Sequence, residues 1–473
     1  MTSSAYHAVT EIPGALMTDF WRQAVQNPIF LETEAALEVG PMRFPHERTR
    51  LAEACLLLSA IQADPKRLVA VLALQRMLIR RIVQCERRVS RLRLARSKGK
   101  RMMASSRLPR DEARLLRAGI AAIDSRIREI RQLMFLWRCF GDGIASVYQS
   151  QQALKHLLYD SEHRIKQDAG TISGKAGFRR EYRALCLGIQ MGVPVVLCDL
   201  TNIIRHGDVC ALAGEDPVPV EFKSSRARGP RAQRQYSQLQ ELGDFYANDG
   251  ASSFRGLINF KRIALDQTST RYHNDINACV TRAFDDGMAS VAPELGLRYI
   301  ACRPAADLEE KLTAAVASYS QPQMLAVQLT PSPNWLPAYP FTLSLSPTNS
   351  WLFMQGLVTI VVLVDMAIVK SLFASKGMHV IVLMDGDHAL QMCYDPADLM
   401  KGVYRVSEQR FLRIACEFES LTSFVDESMR LIDGARAKLD EIGPHSVGLI
   451  TAPPEDWEHA RDCFSYQPSP PDA

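Results

Sequence analysis

The sequence has no CxxC pair, and its 11 cysteines and 10 histidines do not cluster. A structural zinc site needs four nitrogen or sulfur ligands in closely spaced motifs, so zinc fingers and zinc ribbons are excluded. An odd number of scattered cysteines in a large chain predicts reduced thiols rather than a disulfide framework. The N-terminus MTSSAYHAVTEIPG lacks a basic segment followed by an apolar run, so we predict no signal peptide and a cytoplasmic location.

Long apolar runs are also absent, with one partial exception. Trp351–Val369 is the most membrane-like stretch, but Gln355, Gly356 and Asp365 interrupt it. Its dense part, Leu357–Val364, is rich in β-branched residues and is much shorter than the about 20 apolar residues that a bilayer span needs. We therefore predict a buried strand and no membrane insertion; a membrane-associated protein is the less favoured alternative.

Two frequent catalytic signatures are missing as well. No serine or cysteine stands in a nucleophile-elbow pattern. The segment GTISGKAG at 170–177 has the glycines and the lysine of a phosphate-binding loop, but Gly170 and Gly174 are too close together, and Ala176 replaces the required Ser or Thr. We therefore interpret this segment as a glycine-rich loop and not as a nucleotide site.

What the chain has in excess is positive charge in one region. The net charge of the 473 residues is only +4, but Lys66–Arg131 contains 20 basic and 5 acidic residues. This segment thus carries +15 and leaves −11 for the remainder, an asymmetry that predicts a polyanionic partner. The overall composition, 47% hydrophobic and 23% charged, is that of a globular chain with roughly two to four domains.

The basic segment also carries two heptad series, which predict an antiparallel helical hairpin with arms of about 27 residues, or about 40 Å. The seam positions are Leu68, Val71, Gln75, Leu78, Ile82, Cys85, Val89 and Leu92 in the first arm and Leu116, Ile120, Ile123, Ile127, Ile130, Met134 and Trp137 in the second. Gly141 and Gly143 are expected to end the second arm, because glycine disfavours helix interiors. We predict that Arg93–Arg110 is a basic connecting loop. Its candidate nucleic-acid contacts are Arg96, Lys98, Lys100 and Arg101.

From Phe178 onwards, helical patterns and short apolar runs follow one another in the order α-β-β-β-α-β. The predicted elements are a helix over Phe178–Met191, strands over Val193–Leu200, Asp208–Ala213 and Val218–Lys223, a helix over Arg231–Tyr246 and a strand over Leu257–Ala264. We predict five regions along the chain: an N-terminal helical segment at 1–65, the basic hairpin at 66–140, an α/β core at 141–270, a C-terminal α/β region at 271–464 and a disordered tail at 465–473.

Acidic residues concentrate in the segment HGDVCALAGEDPVPVEFKSS, residues 206–225. If its two apolar runs form a hairpin that turns at Gly214–Glu215, paired residue numbers sum to 429, and Asp208 lies opposite Glu221. Directly opposed Cβ atoms lie about 4.5–5.5 Å apart, so these carboxylates repel each other unless a cation lies between them. A hard divalent ion with oxygen ligands is the expected occupant.

The alternation of side chains along the second strand adds a lysine to this pair. Glu221 and Lys223 share one face of an extended strand, whereas Val220 and Phe222 point into the core. Lys223 is therefore expected to orient and polarise a water bound near the ion. A solvent-facing edge strand with an ordinary charge pair is the alternative for Glu221 and Lys223.

This pattern resembles the PD-(D/E)xK, or restriction-endonuclease-like, nuclease superfamily over residues 175–265. The resemblance is carried by Asp208, by the Glu221-Phe222-Lys223 triplet and by the glutamine-rich segment RAQRQYSQLQEL that follows them. The family core has the order α-β-β-β-α-β around a mixed sheet, which implies the same fold here. The proline that often precedes the first acid of the family is absent, because His206-Gly207 stands before Asp208.

Residue roles follow from the resemblance. Asp208 and Glu221 would bind Mg²⁺ or Mn²⁺, with the Phe222 carbonyl contributing, and Lys223 would serve the attacking water. Glu181 matches an additional acidic ligand on the helix before the first strand, although neighbouring arginines fit an ordinary solvated helix face equally well. On the helix after the motif, Gln235 or Gln238 would face the same site. His206 is interpreted as a turn histidine and not as a base.

The leading hypothesis is a metal-dependent endonuclease that acts on DNA, with the basic hairpin as a clamp. Phosphodiester hydrolysis needs a neutralised phosphate and a positioned water, which two carboxylates, a divalent ion and a lysine supply. The alternative is a catalytically silent nucleic-acid-binding or scaffold protein. Its hairpin would mediate assembly, either as a homo-oligomer or with a protein partner.

Overall fold

The chain folds as a mixed α/β protein, as predicted, with a helical region first and several small antiparallel sheets after it. The computed structural model describes residues 42–105, 108–160, 169–222, 230–255, 257–262, 269–305, 307–319, 323–335, 338–398 and 402–442. The described part of the predicted segment 1–65 is a short 3₁₀ turn followed by helix α1 (Arg48–Ala63). The predicted disordered tail 465–473 lies outside the described residues.

The predicted helical hairpin is present, and its arms are longer than the heptad pattern indicated. Helix α2 spans Leu68–Ser105 and helix α3 spans Arg110–Tyr148. The two run antiparallel, because Gly99 near the end of α2 lies against Ile120 near the start of α3. The prediction of a loop over Arg93–Arg110 is therefore wrong up to Ser105. Its arginine, leucine, alanine and methionine residues are good helix formers, and they continue the arm beyond the last seam position.

Two glycines that were expected to end the second arm lie inside it instead. Helix α3 passes through Gly141 and Gly143 and ends at Tyr148. A Cβ atom at Gly141 would collide with the carbonyl oxygen of Leu200, and one at Gly143 would lie 2.6 Å from a methyl carbon of Leu58. The glycines therefore allow neighbouring chain segments to approach α3 closely, and this packing requirement outweighs their low helix propensity.

The region from Phe178 contains the predicted order of elements, with one additional strand. The elements after the hairpin are α4 (Gln151–Leu154), α5 (Phe178–Gln190), β1 (Val195–Leu197), β2 (Val209–Ala211), β3 (Val218–Val220), α6 (Pro230–Asn248), β4 (Gly250–Phe254) and β5 (Leu257–Lys261). Strand β2 pairs with β3 through Val209–Val220 and Ala211–Val218. The predicted register, in which paired residue numbers sum to 429, is therefore confirmed.

Two features of this region differ from the expectation. The expected mixed sheet is not found, because every strand pairing in the described ranges is antiparallel, and β5 pairs with β4 in a separate two-stranded sheet. Val220 does not point into the core either: 39% of its surface is exposed, whereas its cross-strand partner Val209 is buried. Strand β3 is the outer strand of the three-stranded sheet, so its side chains are less covered than those of β2.

The base of the hairpin is fixed to this sheet by a buried glutamine in the heptad seam. Gln75 of α2 donates from Nε2 to the Val195 carbonyl at 2.7 Å and accepts at Oε1 from the Leu197 backbone N–H at 3.0 Å. The amide thus pairs with strand β1 as a neighbouring strand would, which satisfies backbone groups that burial would otherwise leave without partners. The hairpin and the sheet are therefore one packed unit at this point.

The C-terminal region is an α/β assembly, as predicted. Its elements are α7 (His273–Asp286), β6 (Met288–Glu294), β7 (Leu297–Cys302), α8 (Leu308–Tyr319), β8 (Met324–Leu329), α9 (Phe341–Ser344), α10 (Pro347–Met354), β9 (Thr359–Asp365), α11 (Met366–Ala374), β10 (His379–Val382), β11 (His388–Cys393), β12 (Val403–Ser407), α12 (Glu408–Cys416) and α13 (Leu421–Ile442). The apolar run Leu357–Val364 supplies β9, a buried inner strand in the order β6-β7-β9-β8, which confirms the predicted strand. Among the described helices, none combines the length and apolar character needed to cross a bilayer.

Candidate functional site at the Asp208 carboxylate cluster

Asp208 lies one residue before β2 and is bonded to both residues that flank Glu221. Its backbone N–H donates to the Val220 carbonyl at 2.8 Å, and its carboxylate Oδ2 accepts from the Phe222 N–H at 2.8 Å. The pairing of β2 with β3 ends at Val209–Val220, and these two bonds hold Asp208 beside the chain segment that carries Glu221. Gly207 precedes Asp208 with φ +79°, and a Cβ atom there would lie 3.0 Å from the Val220 backbone. A glycine is thus needed where the chain turns close to β3.

Three carboxylates from three different elements converge on the ammonium of Lys175. Nζ of Lys175 lies 2.8 Å from Asp208 Oδ1, 2.8 Å from Asp199 Oδ2 and 3.0 Å from Glu181 Oε2. Glu181 is in the first turn of α5, Asp199 is in the 3₁₀ turn that follows β1, and Lys175 is in the glycine-rich loop before α5. We refer to these four residues as the Lys175 cluster.

The Lys175 cluster contains more negative than positive charge. One ammonium faces three carboxylates, which corresponds to a formal charge of −2 if all are ionised. Burial raises the pKa of Glu181 above its ordinary value, even though the hydrogen bond and charge of Lys175 act to lower it. Burial acts to lower the pKa of Lys175, but its hydrogen bonds to Asp199 and Asp208 outweigh this and raise that pKa. The ammonium therefore stays charged throughout the physiological range.

Two residues of the helical hairpin hold the chain segments that carry Lys175 and Asp199. Glu86 of α2 accepts hydrogen bonds from the backbone N–H groups of Ile172 at 3.0 Å and Ser173 at 2.6 Å, which hold the glycine-rich loop. Arg138 of α3 donates from Nε to the Asp199 carbonyl at 3.1 Å. Loop and turn are thus both bonded to the basic hairpin, so the Lys175 cluster and the hairpin are structurally connected.

The structure brings some of the predicted site residues together and leaves others apart. Glu181 and Asp208 contact the same ammonium, and the half-buried Glu221 lies between the two residues that are bonded to Asp208. The Phe222 backbone is bonded to Asp208, and its ring packs partly buried against the core. Lys223, the predicted water-orienting lysine, lies outside the described residues.

The remaining candidates lie around or away from the cluster. Gln235 and Gln238 are both half-buried on α6, three positions apart and therefore on one side of that helix. His206 is buried, and its ring Nε2 lies 2.9 Å from the Tyr159 carbonyl oxygen, which fits the predicted structural role. The predicted nucleic-acid contacts are on helix α2 rather than on a loop. They comprise the half-buried Arg96, which pairs with Asp124 at 2.9 Å, and the exposed Lys98, Lys100 and Arg101.

Whether these residues fit a divalent ion depends on Lys175. An all-carboxylate donor set has the chemistry that Mg²⁺ and Mn²⁺ prefer. In the part of the chain that the structure describes, however, no group of three His, Cys, Asp or Glu residues is arranged to hold a metal ion as it stands. The ammonium of Lys175 occupies the point where the carboxylates converge, which is the position that a metal ion would take.

Comparisons with known proteins add no assignment. The chain matches no protein-family model, and it has no significant match among curated proteins or solved structures.

Proposed function

We propose that this chain is a metal-dependent phosphodiesterase of the PD-(D/E)xK type that cleaves nucleic acid, with DNA as the expected substrate. One observation carries the proposal: acidic side chains from α5, from the turn after β1 and from the residue before β2 converge on one cation position, and Glu221 lies between the two residues that are bonded to Asp208. The family resemblance selects three of these acids, Glu181, Asp208 and Glu221, and Asp199 is additional.

The carboxylates would bind the metal ion, and Lys223 would act on the attacking water. Glu181, Asp199 and Asp208 would hold Mg²⁺ or Mn²⁺, with Glu221 and the Phe222 carbonyl completing the oxygen ligands on the β3 side. A divalent ion bound there neutralises charge on the scissile phosphate and lowers the pKa of a bound water. Lys223, two residues after Glu221, would orient that water for attack on phosphorus.

The basic hairpin supplies a surface for the substrate backbone. Lys98, Lys100 and Arg101 are exposed on α2, within the segment Lys66–Arg131 whose net charge is +15. Their contacts with phosphates would be independent of base sequence, because ion pairs to phosphate oxygens carry no sequence information directly. Glu86 and Arg138 bond the same two helices to the glycine-rich loop and to Asp199. A substrate bound along the helical hairpin would therefore lie on helices that are hydrogen-bonded to the segments of the Lys175 cluster.

A silent scaffold is the second candidate, and it is favoured by exposed apolar residues on the hairpin. Leu94 on α2 and Leu115 on α3 are 69% and 70% exposed. Apolar residues on both arms suit a protein interface, either with a second copy of the chain or with another partner. In that case the Lys175 cluster would be an ion-pair cluster that holds the loop and has no catalytic role.

Cleavage assays on the full chain distinguish the two candidates. The protein is incubated with supercoiled plasmid, linear duplex, single-stranded DNA and RNA, each with Mg²⁺, with Mn²⁺ and with EDTA. We expect cleavage only with a divalent ion, and we expect Asp208→Asn, Glu221→Gln and Lys223→Ala to abolish it. The matched control is Glu215→Gln, which changes an exposed acid in the turn between β2 and β3 and should cleave normally.

Binding measured in parallel identifies the outcome that contradicts the proposal. The Lys223→Ala protein should bind nucleic acid almost as tightly as wild type, because the hairpin is unchanged. A wild-type protein that binds nucleic acid but neither cleaves any substrate nor gains thermal stability from a divalent ion would leave only the scaffold.

A further inference from the structure

Lys175 uses its whole hydrogen-bonding capacity on the three carboxylates. A lysine ammonium has three N–H donors and no acceptor, and Nζ of Lys175 has three acceptor oxygens within 3.0 Å, one from each acid. We propose that Lys175 holds the cation position of this site in the metal-free protein and that a divalent ion binds by displacing it. This inference rests on the proposed function, because it requires the Lys175 cluster to be a metal site.

Geometry makes the two cations alternatives rather than neighbours. Carboxylate oxygens lie about 2.0–2.1 Å from Mg²⁺, whereas here the same oxygens surround Nζ at 2.8–3.0 Å. An ion at the centre of these oxygens would occupy the place of the ammonium. Two positive charges within about 3 Å would also repel each other strongly in a partly buried site.

The charge of the cluster favours the exchange. With Lys175 in place, three carboxylates share one positive charge. A doubly charged ion with short bonds compensates such a group better than a single ammonium does. Lys175 thus keeps the acids together until a divalent ion arrives.

The structure also provides a way for the lysine to leave. The side chain of Lys175 is 26% exposed, whereas that of Glu181 is 3% exposed, so the lysine lies on the solvent side of the cluster. Glu86 holds the loop backbone at Ile172 and Ser173, upstream of the lysine. The flexible four-carbon stem of the lysine can therefore rotate out while the loop stays in place.

The first test measures metal binding by the full-length chain after Lys175→Met, which keeps the length of the side chain and removes its charge. Isothermal titration with Mn²⁺ should give a dissociation constant at least about tenfold lower than wild type, because the ion no longer competes with an ammonium. Melting temperatures should show a less stable metal-free variant with a larger stabilisation by Mn²⁺. The control is Lys376→Met, which removes a lysine that pairs with Asp426 at 2.9 Å and should bind Mn²⁺ as wild type does.

The second test uses the wild-type protein, so it does not depend on the variant folding. An amine-reactive acylating reagent followed by peptide mass spectrometry reports how accessible each lysine is. Saturating Mg²⁺ or Mn²⁺ should increase acylation of Lys175 several-fold over the EDTA sample and leave Lys311 and Lys376 unchanged.

The outcomes separate this inference from the proposed function. Suppose that wild type gains stability from Mn²⁺, that Lys175→Met binds Mn²⁺ no more tightly and that acylation of Lys175 does not rise. The metal ion then does not displace Lys175, whereas the proposed metal site is supported. If neither protein binds or responds to a divalent ion, the proposed function and the displacement are both wrong.

Discussion

Two clusters of buried charge in this chain each contain three carboxylates, but their cations differ in number and in type. In the Lys175 cluster, one lysine faces Glu181, Asp199 and Asp208. In the C-terminal region, three arginines face three glutamates. This second set, which we call the Glu417 cluster, comprises Arg271, Arg410, Arg413, Glu417, Glu419 and Glu427.

The Glu417 cluster is balanced in charge, and guanidinium groups bind its carboxylates in pairs of hydrogen bonds. Arg413 binds Glu417 through Nε at 2.7 Å and Nη2 at 3.1 Å, and Arg410 binds both oxygens of Glu419. Such paired bonds match the planar guanidinium to the carboxylate, and they leave no oxygen directed at open space. Glu417 and Glu419 are completely buried, so this arrangement fits a structural role.

The pKa directions show the same contrast. Burial acts to raise the pKa of Glu419, but the charge and hydrogen bonds of Arg410 outweigh it, so that pKa lies below its ordinary value. In the Lys175 cluster burial prevails, and the pKa of Glu181 is raised. Glu419, with Arg410 and Arg413 around it, is thus stabilised as an anion, whereas Glu181, which shares one lysine with two other acids, is not.

The largest effect should come from removing a charge in the Glu417 cluster. Glu417→Gln leaves the half-buried Arg413 and Arg271 without the completely buried carboxylate that pairs with both, so we expect a loss of about 3–5 kcal/mol in the free energy of unfolding. Urea denaturation should show the same loss with and without millimolar Mg²⁺. A loss that Mg²⁺ reverses would mean that this cluster also takes up a cation, and the contrast between the two clusters would disappear.

The corresponding change in the Lys175 cluster should cost less and should abolish the response to metal. Asp208→Asn loses a bond to Lys175 but also relieves repulsion among three acids, so we expect a net change below about 2 kcal/mol without metal. Stabilisation by Mg²⁺, measured as a shift in melting temperature, should be lost. Glu215→Gln is the control, since it removes an exposed acid in the turn between β2 and β3.

A metal-independent loss as large as that of Glu417→Gln would contradict the contrast. It would mean that Asp208 belongs to a structural ion pair, and the scaffold function would then be favoured.

Acid should weaken the Glu417 cluster through Glu419. A carboxyl group whose pKa is lowered on folding contributes stability above its unfolded value of about 4.5, and that contribution is lost as the pH falls through the lower folded value. Wild type should therefore lose stability below about pH 4.5. Glu419→Gln should be less stable at neutral pH and should lose less than wild type over this acid range.

The measurement is the urea midpoint of wild type and Glu419→Gln at several pH values from neutral to about pH 3. Glu215→Gln again serves as the control and should follow wild type. Parallel curves for wild type and Glu419→Gln would show that Glu419 is not the group that titrates.

The sequence predicted what depends on local pattern. Helix α5 was predicted to within one residue, and the register of β2 with β3 followed from the turn at Gly214–Glu215. Both depend on periodicity and on turn chemistry over fewer than about 20 residues. The prediction of a mixed sheet was wrong. Tertiary packing, and not the residues of β5 themselves, decides whether β5 pairs with β2 or with β4.

The two site residues that the sequence analysis missed have no motif of their own. Asp199 follows strand β1 by two residues, a position typical of site acids, but the run VVLCDL reads as one apolar strand. Lys175 was set aside with the loop, because its spacing does not fit a nucleotide-binding pattern. Their convergence with Glu181 requires the loop to fold back against Glu86, a contact between residues 86 positions apart in the chain. Such long-range contacts leave no local signature.

The smallest expected effect concerns the hairpin, where the contrast between compensated and exposed charge appears again. Arg96 pairs with Asp124, whereas Lys98, Lys100 and Arg101 are exposed on the same helix. Phosphate contacts release counterions, so the logarithm of affinity falls with the logarithm of salt by about 0.9 per contact. The triple alanine variant should therefore flatten this slope by up to about 3, and Arg96→Ala should flatten it by less than about 1, because its guanidinium already has a carboxylate partner.

Fluorescence anisotropy with a labelled duplex and a labelled single strand, over a series of salt concentrations, gives both slopes. The triple variant should lose affinity for every sequence alike, because phosphate contacts do not distinguish bases. Its melting temperature should match wild type, since the three side chains are exposed. An unchanged slope in the triple variant would show that this surface does not contact phosphates. The exposed leucines of the two arms would then indicate that the hairpin binds protein, as the scaffold function requires.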